Sequence, residues 1–217
     1  MKKEKILEFQ VDQTTLSGIL TMPDSSSSDV VTLLHPHPLY GGDMDNPVIT
    51  ALERVFLENH FTTFRFNFRG VSNGPEVYDG VGGAMLDSIN AIKILESQGF
   101  AISGIAGYSF GGSVALRLAS SMKIKFAITL SASSSLYSEG SFSFENLTKI
   151  DCPILMFHGT DDQMVSFSDM SKLSTKMKVR TKTIPLHYEG HFYYHSMPIV
   201  TREVHAFICE LKSNKEL

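Results

Sequence analysis

The chain has 217 residues, 42% hydrophobic and 19% charged, a balance that suits a single globular domain spanning 1–217. A formal net charge of −4 gives no electrostatic reason to expect nucleic acid or an anionic membrane as partner. Two cysteines, Cys152 and Cys209, make no disulfide framework, the start "MKKEKILEFQ" has no apolar signal core, and no apolar run approaches the ~18 residues of a membrane span; the expected location is cytoplasmic.

The first elements alternate apolar and polar residues. "KILEFQV" and "LSGILTM", joined by the turn-like "DQTT", predict an antiparallel hairpin. "PDSSSSD", residues 23–29, reads as a surface loop. Short apolar runs then follow at 30–34, 61–68, 101–108, 124–132, 153–159 and 180–187. Helical patterns separate them at about 46–59, 84–97, 110–121, 166–176 and 194–212, with Met85, Ile89, Ile92 and Leu95 forming one stripe. Continuous apolar strands separated by helices predict a parallel sheet covered on both faces. The expected architecture is a three-layer α/β/α sandwich of about eight strands with an antiparallel N-terminal hairpin.

The most informative stretch is "GIAGYSFGGSVALRLAS", residues 104–120, where Gly107-Tyr108-Ser109-Phe110-Gly111 matches G-x-S-x-G. An apolar strand before it and a helix after it supply the context of a strained strand-to-helix turn that exposes a serine. Glycines flank such a turn because side chains there collide with neighbouring backbone. A serine hydroxyl needs a base, and in this logic the acid and the base follow the serine along the chain. "HGTDDQMV" offers Asp161 or Asp162, and "HYEGHFYYHS" offers His187, His191 and His195. A tetrahedral intermediate also needs about two N–H donors. Phe110 supplies one, and the loop after the third strand, "LLHPHPLYGGDMDNPV", supplies the other. In that loop Pro36 and Pro38 have no N–H, which leaves His37, Leu39 and Tyr40.

With "HPHPLYGG", "RFNFRG" and "GYSFGG" in this order, the chain resembles the α/β-hydrolase superfamily, and within it the small, lid-less bacterial serine hydrolases, over roughly residues 5–210. The resemblance implies Asp162 as the acid, since His158, Gly159, Asp162 and Val165 fit H-G-x-x-D-x-x-V. It implies His191 in "EGHFYY" as the base. His37 becomes the second oxyanion donor, with Leu39 or Tyr40 as fallback. On this view the His37 amide matters more than its imidazole. The catalytic set is therefore Ser109, Asp162 and His191, with Phe110 and His37 forming the oxyanion hole.

Arg65 and Arg69 read as salt-bridging residues and Asp87 as structural, with Ala84 standing where the family pattern leads one to expect Glu. The short interval before "CPILMFHG" leaves no room for a large lid. "SSSLYSEGSFSFENL", residues 133–147, is a candidate wall through Leu136, Tyr137 and Phe142, or ordinary loop packing. No cofactor is implied, since neither GxGxxG nor GxxxxGK[ST] occurs. A metal reading of His35 and His37 lacks a third ligand at zinc spacing. The expectation is a serine hydrolase of small acyl compounds, carboxylic esters first. A thioesterase or peptidase with the same triad, and a non-catalytic binding protein, are the alternatives. An open site also leaves a homodimer as an option, a neighbouring subunit covering it.

Overall fold

A computed structural model describes residues 3–25, 27–71, 74 and 77–217. Ser26 of the serine run, and Ser72, Asn73, Pro75 and Glu76 of the segment after "RFNFRG", lie outside the described residues. The N-terminal hairpin is β1 (Lys3–Val11) and β2 (Thr14–Met22), paired antiparallel. In β1, Leu7, Phe9 and Val11 are buried while the residues between them face water. That alternation fixes the register, because a one-residue slip would turn the apolar set outward.

From there the strands change character. β3 (Asp29–Leu34), β4 (Thr62–Phe66), β5 (Ala101–Tyr108), β6 (Phe126–Leu130) and β7 (Ile154–Gly159) are almost wholly buried, as strands covered on both faces must be. β8 (Thr181–Leu186) closes the far edge and is more exposed. The order is β1-β2-β4-β3-β5-β6-β7-β8, with β2 antiparallel to both neighbours and the pairs from β4 to β8 parallel.

Helices cover both faces. On one side α1 (Pro47–Glu58) and α6 (Met197–Ser213) bury Leu52, Phe56, Val204 and Phe207 against the sheet. On the other, α2 (Gly80–Ser97), α3 (Phe110–Ala119) and α5 (Ser168–Ser174) bury Ile92, Leu95, Val114, Leu118 and Leu173. Each such side chain contributes about 1.5–3 kcal/mol by leaving water. α1 starts where the sequence directs it: the Asn46 side chain accepts from the Val48 N–H and Pro47 occupies the first turn.

α2 begins at Gly80, four residues before the expected 84. The glycines that hid its first turn let it sit tight on its neighbours: a Cβ at Gly83 would lie 2.8 Å from Asp79 and 3.3 Å from Arg69. Its buried stripe runs through Val81, Ala84, Ser88, Ala91, Ile92 and Leu95, with Met85 and Ile89 packed at the side. Between β6 and β7 there is only α4 (Ser134–Tyr137) and a 3-10 turn at Phe144–Lys149. No lid is inserted there, and the C-terminal ends of the parallel strands stay open. No helix among the described residues is long and apolar enough to cross a membrane.

Candidate active site

β5 ends in a sharp turn at Ser109, whose φ of +55° and ψ of −113° lie in a region that L-residues rarely adopt. Such a residue costs roughly 1–3 kcal/mol and persists only where its surroundings hold it. Here the Ser109 N–H donates to Leu130 O at 2.7 Å, and Ser113 N–H donates to Ser109 O at 3.1 Å. The flanking glycines are sterically required. A Cβ at Gly107 would lie 2.1 Å from Gly111 O, and one at Gly111 would lie 2.1 Å from Leu34 O. That close approach seats the N-terminus of α3 against the end of β3.

The loop after β7 carries Asp162, which is buried. Its Oδ2 lies 2.7 Å from His191 Nδ1, 2.9 Å from Ser131 Oγ and 3.4 Å from His158 Nε2. Its Oδ1 accepts the Met164 and Val165 N–H groups, each at 2.9 Å. Burial opposes ionisation, but the donors from His158, His191 and Val165 outweigh it and hold the carboxyl well below the usual range. Asp161, the other candidate, is exposed and accepts from the Thr160 hydroxyl.

His191 bridges the two, its Nε2 3.0 Å from Ser109 Oγ. A carboxylate only accepts, so His191 Nδ1 carries the proton and Nε2 presents its lone pair to the serine hydroxyl. The loop is fastened by groups the sequence did not single out. Tyr108 Oη donates to His191 O at 2.8 Å. Glu189, almost fully buried, accepts from the N–H groups of Gly190, His195 and Ser196 at 3.1, 2.9 and 2.6 Å. An acid beside Gly-His was the one available signal for Glu189; an isolated serine such as Ser131 gave none. His187 and His195 are exposed, and the hydrogen-bond partners of the Ser109 and Asp162 side chains among the described residues include neither.

The opening loop forms a 3-10 turn over Pro38–Tyr40. Leu39 N–H donates to His37 Nδ1 at 3.2 Å and Tyr40 N–H donates to His37 O at 3.1 Å, so both fallback donors are engaged within the turn. The His37 N–H makes no hydrogen bond to a described residue. The Phe110 N–H, at the first position of α3, has no acceptor within its own helix. Both residues line the same cavity as Ser109 and His191, and their rings lie 4.9 Å apart.

The His37 imidazole is more engaged than the sequence suggested. With Nδ1 accepting from Leu39, Nε2 carries the proton and donates to Tyr78 Oη at 2.9 Å. The ring also packs on Tyr40 and Tyr78. His35 is buried beneath it, Nδ1 donating to Pro36 O at 2.6 Å and Nε2 accepting from Phe68 N–H at 2.9 Å. Burial pushes its pKa down to about 4, so it stays neutral near pH 7. All four ring nitrogens of the pair therefore have hydrogen-bond partners within the fold. Among the described residues, no group of three or more His, Cys, Asp or Glu is placed to hold a metal ion.

"RFNFRG" clamps this loop from below. Asn67 Oδ1 accepts the Met44 N–H at 2.8 Å, while Arg65 pairs with Glu53 at 3.1 Å and with Asp45. Arg69 pairs with Asp87 at 2.7 Å, which ties the segment after β4 to α2. Both arginines do the salt-bridging work expected of them. Leu136 lines the cavity, whereas Tyr137 is fully buried and stacks on Phe144, so only part of the 133–147 segment forms a wall.

The cavity holds about 460 Å³, with Asn46, Ser133 and Ser135 on polar parts of its wall and Leu136, Met164, Val165 and Phe192 on apolar ones. Hollows of about 580 and 590 Å³ elsewhere, beside β1 and beside His60, contain none of the residues named for catalysis.

The chain is similar to several known proteins over nearly its whole length. A putative α/β hydrolase of Agrobacterium tumefaciens is similar over 98% of both chains, with 25% identity and a TM-score of 0.84. An α/β serine hydrolase without a lid from Xanthomonas campestris matches 96% of this chain and 94% of its own, with 20% identity and a TM-score of 0.82. A Pyrococcus furiosus esterase matches 97% and 91%, with 19% identity and a TM-score of 0.78. The fold is the α/β-hydrolase fold. The family model described as serine hydrolase (FSH1) matches residues 58–201, well over half of the chain, and the protein belongs to that family.

Proposed function

We propose that the protein hydrolyses carboxylic esters of small acyl compounds through an acyl-enzyme intermediate on Ser109. The reading rests above all on the unbroken line from Ser109 Oγ to His191 Nε2 (3.0 Å) and from His191 Nδ1 to Asp162 Oδ2 (2.7 Å). His191 takes the hydroxyl proton as Oγ bonds to the ester carbonyl carbon. The carbonyl oxygen becomes an oxyanion facing the Phe110 and His37 amides. Asp162 stabilises the imidazolium and holds its tautomer. Collapse breaks the bond to the leaving alkoxide, which takes the proton from His191. Water, deprotonated by His191, then releases the acid and restores Ser109.

Thioesters and amides would meet the same groups, and a purely binding role has no use for a strained serine aligned on a base. The test is release of p-nitrophenol from p-nitrophenyl butyrate. Wild-type protein turns it over; Ser109→Ala and His191→Ala lower kcat by about 10⁴ or more. Equal rates in all three would defeat the reading.

A further inference from the structure

We propose that the cleft is a charge filter: it accepts esters that are uncharged or cationic and rejects those bearing carboxylate or phosphate groups. This names the substrate class for the ester-hydrolase reading and rests on it.

Three observations carry the proposal. First, among the described residues the cavity lining contains no Lys, Arg, Asp or Glu. Second, the cations nearby are already engaged. Arg117 donates to the carbonyls of Tyr137, Leu136 and Glu139 at 2.9, 2.8 and 2.5 Å. Arg69 is held by Asp87, Arg65 by Glu53 and Asp45, and Lys172 by Asp169 at 2.9 Å. Third, the rim is acidic. Glu139 lies close enough to His37 and Tyr78 to act on their ionisation. Asp43 and Asp45 adjoin the lining residues Gly42 and Asn46, and Asp45 shares a single guanidinium with Glu53.

An anion entering this cleft would give up hydration along Leu136, Met164, Val165 and Phe192 and meet no cation in return. The carboxylates at the rim add like-charge repulsion. An uncharged acyl or alcohol group instead gains the apolar contacts at no electrostatic cost. A thioester on a phosphate-bearing carrier falls in the rejected class, whereas the same acyl group on a neutral thiol falls in the accepted one.

The experiment uses two matched pairs at low ionic strength. Ethyl butyrate is compared with monoethyl succinate, and the butyryl thioester of N-acetylcysteamine with that of coenzyme A. In each pair the neutral member should have a kcat/KM higher by about tenfold or more, narrowing with added salt. Ser135→Arg places a cation at an exposed position on the cleft wall. It should raise kcat/KM for monoethyl succinate and narrow the first ratio by roughly threefold or more. Equal kcat/KM within each wild-type pair, or a ratio unmoved by Ser135→Arg, overturns the filter. Those outcomes leave Ser109 reactive toward a fluorophosphonate. Loss of that reactivity together with absent ester turnover overturns the parent reading instead.

Discussion

Gly42 and Gly41 sit side by side in the loop that carries the His37 amide, and their substitution should have opposite consequences. A Cβ at Gly42 would lie 2.2 Å from Pro36 O and 2.7 Å from His37 O. Ordinary contact begins near ~3.5 Å, so Gly42→Ala must displace the turn by about 1 Å. The displaced atoms belong to the peptide unit that carries the His37 N–H and to the one that follows it. A misplacement of about 1 Å in a reacting constellation costs on the order of 10²-fold, and loss of one oxyanion donor costs about 10²–10³ in kcat. At Gly41 a Cβ would meet nothing within 4 Å, although φ is +78°. Gly41→Ala therefore carries only a left-handed strain of roughly 1–2 kcal/mol. The assay is steady-state hydrolysis of p-nitrophenyl butyrate by both variants, with melting temperatures measured alongside. Gly42→Ala should lose about 10²-fold in kcat with little change in KM, while Gly41→Ala should keep kcat within about threefold of wild type. If Gly42→Ala is fully active, or the two variants are equally impaired, the loop does not hold an oxyanion donor.

His35 links stability to pH. Unfolded, its imidazole titrates near 6.5; folded, near 4, so the folded state binds fewer protons between those values. The stabilisation is complete above about pH 6.5 and declines as pH falls toward 4, by roughly 3 kcal/mol in all. Urea titrations at pH 7, 5.5 and 4 should show that decline in wild type and a flatter profile in His35→Asn. Asp162→Asn should cut kcat by about 10⁴ while Ser109 stays accessible, because the amide favours the wrong imidazole tautomer; a loss under tenfold would assign the acid elsewhere. Glu189→Gln replaces a carboxylate that holds three N–H groups, so the His191 loop should loosen and kcat should fall about tenfold or more with KM little changed. A lower melting temperature with unaltered kcat would mean that Glu189 serves stability alone.

Much of the fold was legible because its periods are simple. β1 alternates, β3, β5, β6 and β7 are largely apolar, and the helices between them carry apolar stripes. The early start of α2 was hidden because glycine reads as a breaker, whereas here it permits close packing on Asp79 and Arg69. Ser109 was legible because its turn needs glycines at fixed offsets. Asp162 and His191 followed from chain order and the resemblance. The supports of the site were not legible. Ser131 reaches Asp162 across 31 positions and Tyr108 reaches His191 across 83. No local pattern in a single sequence encodes such contacts. The His37 ring illustrates the same limit: its neighbours Tyr78 and Phe110 come from distant segments, so only the fold reveals that it braces the turn.

The proposed nucleophile, Ser109, is the most direct thing to measure. Wild-type protein treated with a fluorophosphonate should gain the mass of one phosphonyl group, and peptide mapping should place it on Ser109. Ser109→Ala, folded to the same melting temperature, should gain none. An adduct on another residue, or equal labelling of both proteins, would contradict the account.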